Sequence, residues 1–398
     1  MSLQRICKNG RLFMRVLMRN KPEKKVTYEQ VMFLHSFLPQ KIIISTSSNI
    51  HDNLALEDWL YEHSDLRTPV LLLWRSSPCV VFGRHQNPWT ECNVPFCEQN
   101  GIVLARRKSG GGTVYHDEGN LNCSFLTERK IYDRRRNLQL VVNALQQRWN
   151  LPLSINDRDD ILLYQQYKVS GSAAKLARCK SYHHFTILCS VDKLRLTSIL
   201  NTHLTGVSSK ATPSVKMAVA NLAEHVPGLG SLDVQHAITE HVLANNEAAT
   251  VSYADALDET QYPGLAALRA EISSWEWTFA KTPPFTINRR LSPTERGNAL
   301  IDISIKVRQG LICEAELQVL QCSGAHPQWF LTLKNGIQGV KFDKESVINA
   351  LSGVKSQWIN EDLYGSQQAD FLDWLLLAVM QTTGVANSSL DHQLFMSA

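Results

Sequence analysis

The sequence predicts a mixed α/β (α+β) protein, with a larger domain on a mixed sheet followed by a smaller α+β domain. Three observations carry that expectation. Short apolar runs alternate with helical patterns over the first two thirds of the chain. A regular apolar/polar alternation appears after residue 299. Between these two compositions stands Lys281-Thr-Pro-Pro284, whose paired prolines suit a linker. At 398 residues and 44% hydrophobic, the chain can bury a core of that size.

Taken in order, Asp52 to His63 places Leu56, Trp59, Leu60 and His63 at helical spacing, with Asp52 as the expected cap. Val70 to Trp74 and Cys79 to Gly83 are apolar runs separated by Arg75-Ser-Ser-Pro78, which reads as a hairpin. Ile102, Val103 and Leu104 and then Thr113, Val114 and Tyr115 are strand-forming, and Asn122 to Leu126 continues as a strand. Asn137 is the expected cap of a helix with Leu138, Val141, Val142, Leu145 and Trp149 on one side. From Ala299 to Val307 the chain alternates, with Ile301 breaking the pattern, turns at Arg308-Gln-Gly310 and alternates again through Leu317 and Val319. Helical patterns near Lys344-Leu351 and Asp370-Val379 complete the chain.

Net charge is +4, but its placement argues against a polyanion partner. Residues 1–25 hold eight basic residues and a single acid, Glu23; removing them from the totals of 41 and 37 leaves 33 basic against 36 acidic. The remainder is not basic, so no nucleic acid is expected. That leader interleaves Leu12, Phe13, Val16 and Leu17 with arginines and lacks a long apolar segment, as a mitochondrial transit peptide over residues 1–30 would. A matrix location follows. With no run of about 18 apolar residues, no membrane span is expected. The nine cysteines lack Cys-x2-Cys spacing, so they read as reduced thiols and point to neither a disulfide scaffold nor a zinc site.

Residues 106–120 carry the first chemical signal: Arg106-Arg-Lys-Ser-Gly-Gly-Gly-Thr-Val-Tyr115 and onward to Asn120. Gly110, Gly111 and Gly112 lie at a bend between two strands, where the backbone can approach a ligand closely. Arg106 and Arg107 bring planar donors suited to phosphate or carboxylate. A Walker loop is excluded, because Lys108-Ser109 precedes the glycines and strand-like sequence follows them. The second signal is Lys168, between Ile161-Leu-Leu163 and Ser170-Gly171-Ser172. A cation among small residues can polarise a carbonyl and neutralise a phosphate together. His183 and His184 are adjacent on a strand, face opposite ways and do not make a metal pair.

With these residues in place, the chain resembles the lipoate-protein ligase A and lipoyltransferase family. The matching pieces are Asn53-Leu-Ala-Leu-Glu57, Gly83-Arg-His-Gln-Asn-Pro-Trp89, Arg106 through Asp117, Lys168-Val-Ser-Gly-Ser-Ala173, Tyr182-His-His184 and Trp275-Glu-Trp277. They run in family order over residues 41–285. The resemblance implies a biotin/lipoate-protein ligase-like catalytic domain over 41–285, an accessory domain over 286–398, and a monomer. It implies that Arg107 and the segment Gly110, Gly111, Gly112, Thr113, Val114 and Tyr115 hold an acyl adenylate. Lys168 would be the catalytic residue, with Arg158, Asp160, Ser170, Gly171, Ala173 and Thr186 lining the site and Ala211 and Thr212 covering the adenine. Asp159 departs from the Asn of the ligases.

The implied activity is lipoyl transfer from lipoyl-AMP or lipoyl-H protein to lysines of lipoyl domains in 2-oxoacid dehydrogenase complexes and of the glycine-cleavage H protein. No tightly bound cofactor or metal is implied. The alternative is a complete ligase, which would use ATP and Mg to make lipoyl-AMP from lipoate. A non-enzymatic adenylate or lipoyl-domain binder is disfavoured by the presence of Lys168, and a nucleotide hydrolase by the lack of an evident acidic magnesium cluster.

Overall fold

The computed structural model describes residues 38–202, 204–215, 217–292, 300–321, 326–364 and 369–384. The expected transit peptide lies outside them. The strands are β1 (Lys41–Ser45), β2 (Val70–Trp74), β3 (Cys79–Phe82), β4 (Val103–Arg106), β5 (Val114–His116), β6 (Asn120–Glu128), β7 (Leu153–Ile155) and β8 (Ile161–Leu163), then β9 (Tyr167–Lys168), β10 (Ser172–Leu176), β11 (Lys180–Leu188), β12 (Val207–Ser209), β13 (Thr250–Ala254), β14 (Phe285–Leu291), β15 (Leu300–Arg308) and β16 (Leu311–Gln321). The helices used below are α1 (Ile50–His63), α2 (Pro88–Glu91), α3 (Val94–Gln99), α4 (Arg134–Trp149), α5 (Lys193–Ile199), α6 (Ser231–Asn245), α7 (Leu265–Ser273), α8 (Pro327–Ile337), α9 (Lys344–Asn360) and α10 (Ala369–Thr383).

Two compact units form, and neither is continuous in sequence. Of the described residues, the first gathers those up to Ser77, with His116–Val191 and 217–269; the second gathers Pro78–Tyr115, Asp192–Val215 and those from Ala270 onward. Lys281-Thr-Pro-Pro284 therefore lies inside the second unit rather than between the two.

In the first unit a six-stranded mixed sheet runs in the order β10-β11-β6-β2-β1-β13, with β1 parallel to both neighbours and β6 antiparallel to β2 and β11. Alternation sorts its faces. Leu71, Leu73, Leu121, Cys123, Phe125, Phe185 and Ile187 meet Leu138, Val141, Val142 and Leu145 of α4 and Val234, Ile238 and Val242 of α6. Each such side chain contributes about 1.5–3 kcal/mol on burial. His183 shares that face and is wholly buried; desolvation, with Arg134 and His184 adding to it, holds its imidazole well below its usual range and keeps it neutral.

Three local expectations are corrected. Helix α1 is capped by Asn49, whose side chain accepts from the backbone of His51 and Asp52, and α4 by Asp133, which accepts from Arg136 N–H. In both cases an equally good capping side chain stands three or four residues ahead of the one expected. The hairpin at Arg75–Pro78 does not form either: β2 belongs to the six-stranded sheet, while β3 pairs in parallel with β4. The connection is tied elsewhere, since Asn53 Nδ2 donates to the Arg75 carbonyl at 2.8 Å and to that of Ser47 at 3.1 Å.

The second unit holds the order β4-β3-β5 and the four-stranded sheet β12-β14-β15-β16. The expected turn at Arg308-Gln-Gly310 joins antiparallel β15 and β16, with Gln309 and Gly310 at φ of 51° and 70°. Ile301, Ile303, Ile305 and Val307 are buried in strict alternation, so Leu300, beside a register shift, is the residue out of phase rather than Ile301. Trp89, Phe285, Phe342 and Phe279 form the aromatic centre of this unit.

Candidate active site

Lys168 ends the two-residue strand β9. Its register is fixed on both sides: it pairs with Leu162 of β8, and its N–H donates to the Ala218 carbonyl at 2.9 Å. The ammonium lies 2.6 Å from Asp160 Oδ1, with side-chain exposures of 20% and 5%, so the cation reaches solvent while its carboxylate partner does not. Asp160 is itself held. Asn156 Oδ1 accepts from the backbone of Arg158 and Asp160, both at 2.9 Å. This turn needs a left-handed residue, and Asp159 supplies it at φ 58°, a conformation that Asn and Asp adopt alike. The substitution noted at Asp159 is thereby accommodated by the backbone.

Small residues follow Lys168 along the chain. Ser170 Oγ accepts from Ile161 N–H at 2.7 Å, Gly171 N–H donates to Thr186 Oγ1 at 2.8 Å, and Ala173 lies opposite His184 across β10 and β11. Arg158 is exposed on the turn. The structure thus places Lys168, Asp160, Ser170, Gly171, Ala173 and Thr186 in the first unit, with Lys168 held to Asp160 and Gly171 to Thr186.

Beside them lies a buried polar row that the motif reading did not single out. Asn120, Asn122 and Ser124 of β6 face away from the apolar core. Trp74 Nε1 donates to Ser124 Oγ at 3.0 Å, Ser124 Oγ donates to Glu57 Oε1 at 2.5 Å, and His184 Nδ1 stands 2.9 Å from the same oxygen. Asn120 is fully buried, and among the described residues its side-chain amide has no hydrogen-bond partner. A buried amide left in that condition costs about 1–3 kcal/mol unless something fills its bonds. Its signal in the sequence was a polar residue at every second position of an otherwise apolar strand.

In the second unit the glycine bend is laced to two other segments. Gln86 Oε1 accepts from Gly83 N–H at 2.8 Å and from Thr113 Oγ1 at 2.9 Å, while Gln86 Nε2 donates to the Thr212 carbonyl at 3.2 Å and to Ser214 Oγ at 3.0 Å. Thr113 N–H donates to Ser214 Oγ at 2.8 Å, and Thr212 N–H to the His85 carbonyl at 3.2 Å. Gly110, Gly111, Gly112, Thr113, Ala211 and Thr212 therefore share one neighbourhood, organised by Gln86 of the Gly83–Trp89 motif. Val114 and Tyr115 leave it along β5, where Tyr115 is buried.

The arginines behave otherwise than expected. Arg106 is fully buried and donates to the carbonyls of Gly83, Arg84, Gln86, Trp277 and Thr278 and to Thr282 Oγ1, at 2.8–3.2 Å. Burial pushes its guanidinium down to about 9, which still leaves it charged at neutral pH. Trp277 Nε1 returns a bond to the Arg106 carbonyl at 2.7 Å, so Trp277, Thr278 and Thr282 form a clamp around this cation. Arg107 donates to the carbonyls of Val81, Gly110 and Gly112 and to Ser109 Oγ. Both guanidinium groups turn inward because the bend exposes carbonyl oxygens that need donors.

The three glycines are not equivalent. Gly111 adopts φ 84°, and its carbonyl would lie 2.3 Å from a Cβ on Gly83, whereas a Cβ on Gly110 meets nothing within 4 Å. Gly111→Ala is expected to destabilise the protein by about 1–2 kcal/mol, against a few tenths for Gly110→Ala. Thermal denaturation of the two variants checks this ranking.

A family model for the lipoyl protein ligase A/B catalytic domain matches residues 49–243. The mitochondrial lipoyl amidotransferase LIPT1 of Mus musculus is 42% identical over 275 residues, covering 68% of this chain and 74% of that protein. A lipoate-protein ligase A of Psychrobacter cryohalolentis is 33% identical over 313 residues, 77% of this chain and 90% of its own. Among solved structures, P. falciparum LipL1 in complex with lipoate superposes with a TM-score of 0.53 at 24% identity, over 86% of this chain and 99% of that one, and supports the fold. Ordered motifs, mixed α/β architecture and kinship over 68–77% of the chain agree: the chain belongs to the lipoyl amidotransferase and lipoate-protein ligase A family of transferase enzymes.

Proposed function

We propose that the enzyme transfers the lipoyl group of lipoyl-AMP, or of lipoyl-H protein, to the ε-amine of a lysine on an acceptor protein, with Lys168 as the catalytic residue. The observation that carries this is the Lys168–Asp160 pair: an ammonium that reaches solvent, oriented by a buried carboxylate, on a strand that leads into Ser170 and Gly171. Lipoyl-AMP is a mixed anhydride and is already activated. The acceptor amine attacks the acyl carbonyl, the C–N bond forms, the C–O bond to phosphate breaks, AMP departs and the amine proton passes to solvent. A cation beside the carbonyl oxygen and the phosphate stabilises charge at both as it develops. No enzyme thioester is needed.

In this reading Arg158, Asp160, Thr186 and the unfilled amide of Asn120 contribute ligand contacts in the first unit. The backbone of Gly110 to Tyr115, with Ala211 and Thr212, binds the adenylate, and Arg107 acts by fixing the glycine carbonyls. Residues 41–285 carry the catalysis and 286–398 are accessory. The acceptors are lipoyl domains of 2-oxoacid dehydrogenase complexes and the H protein, and the site of action is the mitochondrial matrix, consistent with the mitochondrial relative.

The 33% identity to a lipoate-protein ligase A favours a second reading, in which the enzyme also makes lipoyl-AMP from lipoate, ATP and Mg. Pyrophosphate release separates the two. Purified enzyme given lipoate and Mg-ATP is expected to release none while still using supplied lipoyl-AMP; stoichiometric pyrophosphate would establish the complete ligase instead.

A further inference from the structure

A cationic edge lies on the unit that carries Lys168, and we infer that it is the surface on which an acidic acceptor domain docks; the inference rests on the transferase reading above. The 3₁₀ turn Arg129–Ile131 and the first turn of α4 place Arg129, Lys130, Arg134, Arg135 and Arg136 on one short stretch. The β10–β11 hairpin adds Arg178, because Arg129 N–H donates to the neighbouring Cys179 carbonyl at 2.8 Å. Only part of this charge is compensated. Lys130 pairs with Glu128 at 2.7 Å and Arg136 with Asp133 at 3.7 Å. Arg129 stacks on Tyr132 at 5.4 Å, Arg134 donates to the Tyr132 hydroxyl at 2.6 Å, and Arg135 donates to the carbonyls of Ile155 and Asn156 at 3.3 Å each. Among the described residues no carboxylate pairs with Arg129, Arg134, Arg135 or Arg178. Of these, Arg129, Arg135 and Arg178 are exposed.

The edge is joined to the active site through one loop. Arg135 holds the carbonyl of Asn156, the side chain of Asn156 organises the turn that carries Asp160, and Asp160 holds Lys168. Asp157 and Asp159 on that turn offset Arg158, so the excess positive charge comes from the 129–136 stretch and the hairpin. Helix stability does not account for it. The first turn of α4 carries three arginines and no acid, at the end of a helix where cations are disfavoured. Nor does the composition of the chain, which beyond residue 25 holds 33 basic against 36 acidic residues.

A protein lysine reaching Lys168 arrives on a folded domain; Arg135 stands one loop from the ammonium, and Arg129 and Arg178 stand at the other end of β11, about 20 Å from Thr186, a span that a folded domain can cover. Two ammonium groups brought together repel, and carboxylates of the acceptor set against these arginines offset that repulsion. Rim charges of this kind act on encounter and KM rather than on the chemical step.

The test uses Arg129→Gln/Arg178→Gln and the control Arg129→Lys/Arg178→Lys, with lipoyl-AMP as donor and apo H protein as acceptor. The glutamine pair is expected to raise the KM for apo H protein, and its Kd in a calorimetric titration, about tenfold at low ionic strength, with the difference fading at high salt. The lysine pair should match the parent enzyme, and the KM for lipoyl-AMP and transfer to hydroxylamine should not change. Unchanged KM and Kd for apo H protein would overturn the proposal, as would an equal loss with hydroxylamine. Loss confined to binding of anionic phospholipid vesicles would overturn it too, assigning the edge to a membrane. Failure of the transferase reading is distinguishable, since the parent enzyme would then acylate no acceptor while the Kd comparison still reads the edge.

Discussion

Lys168→Ala is expected to lower lipoyl transfer from lipoyl-AMP by about 10²–10³-fold, the effect of removing a positioned charge that faces a developing oxyanion. The loss should fall on kcat, because the ammonium's interaction strengthens as negative charge builds on the carbonyl and phosphate oxygens. Folding should be largely intact: Lys168 is partly exposed, its backbone bonds to Ala218 and Ala220 do not involve the side chain, and its one carboxylate partner is already held by Asn156. Asp160→Asn keeps that turn but frees the ammonium, so it should reduce kcat by a smaller factor, about tenfold. Cys179→Ala is the control, expected within about twofold of the parent, since Cys179 is an exposed hairpin residue. Rates with purified lipoyl-AMP and apo H protein, read by mass spectrometry of the acceptor, decide the matter; near-parental activity in Lys168→Ala would remove Lys168 from the mechanism.

Arg106→Ala should produce the largest loss of stability, about 3–5 kcal/mol, or roughly 10 °C in the unfolding midpoint. The reason lies in what the side chain leaves behind. Five carbonyl oxygens and one hydroxyl lose their donor at once, in a place that water does not reach, and each unsatisfied group costs about 1–3 kcal/mol before relaxation. Arg106→Lys keeps the charge but not the planar fork and should recover only part of the loss. Thermal and urea denaturation measure both. A midpoint within about 2 °C of the parent for Arg106→Ala would show that the clamp of Trp277, Thr278 and Thr282 holds without its cation.

These two residues also show what the sequence makes legible. Lys168 stood out because its neighbours were small and because an apolar strand preceded it, and both features reappear around it in the structure. The β15–β16 hairpin was equally plain, since alternation and a Gly310 turn are local properties. Arg106 was different: its position beside three glycines suggested a ligand-facing donor, whereas its partners at residues 277–282 lie about 170 positions along the chain. The hairpin expected at Arg75–Pro78 failed for a related reason: Pro78 has no N–H to close the turn, and β3 takes its partner farther along the chain, in β4. The two discontinuous units were hidden because no run of composition marks where the chain leaves one and enters the other. Asn120 could be noticed by its place in the polar row of β6, but only the structure shows its amide buried and, among the described residues, without a bond.

The most direct measurement is the mass of an apo H protein after incubation with the purified enzyme and lipoyl-AMP, followed by peptide mapping of the modified residue. A gain of one lipoyl group on a single lysine, formed without ATP and lost in Lys168→Ala, is the predicted result. An acceptor of unchanged mass beside consumed or merely bound lipoyl-AMP would contradict the account.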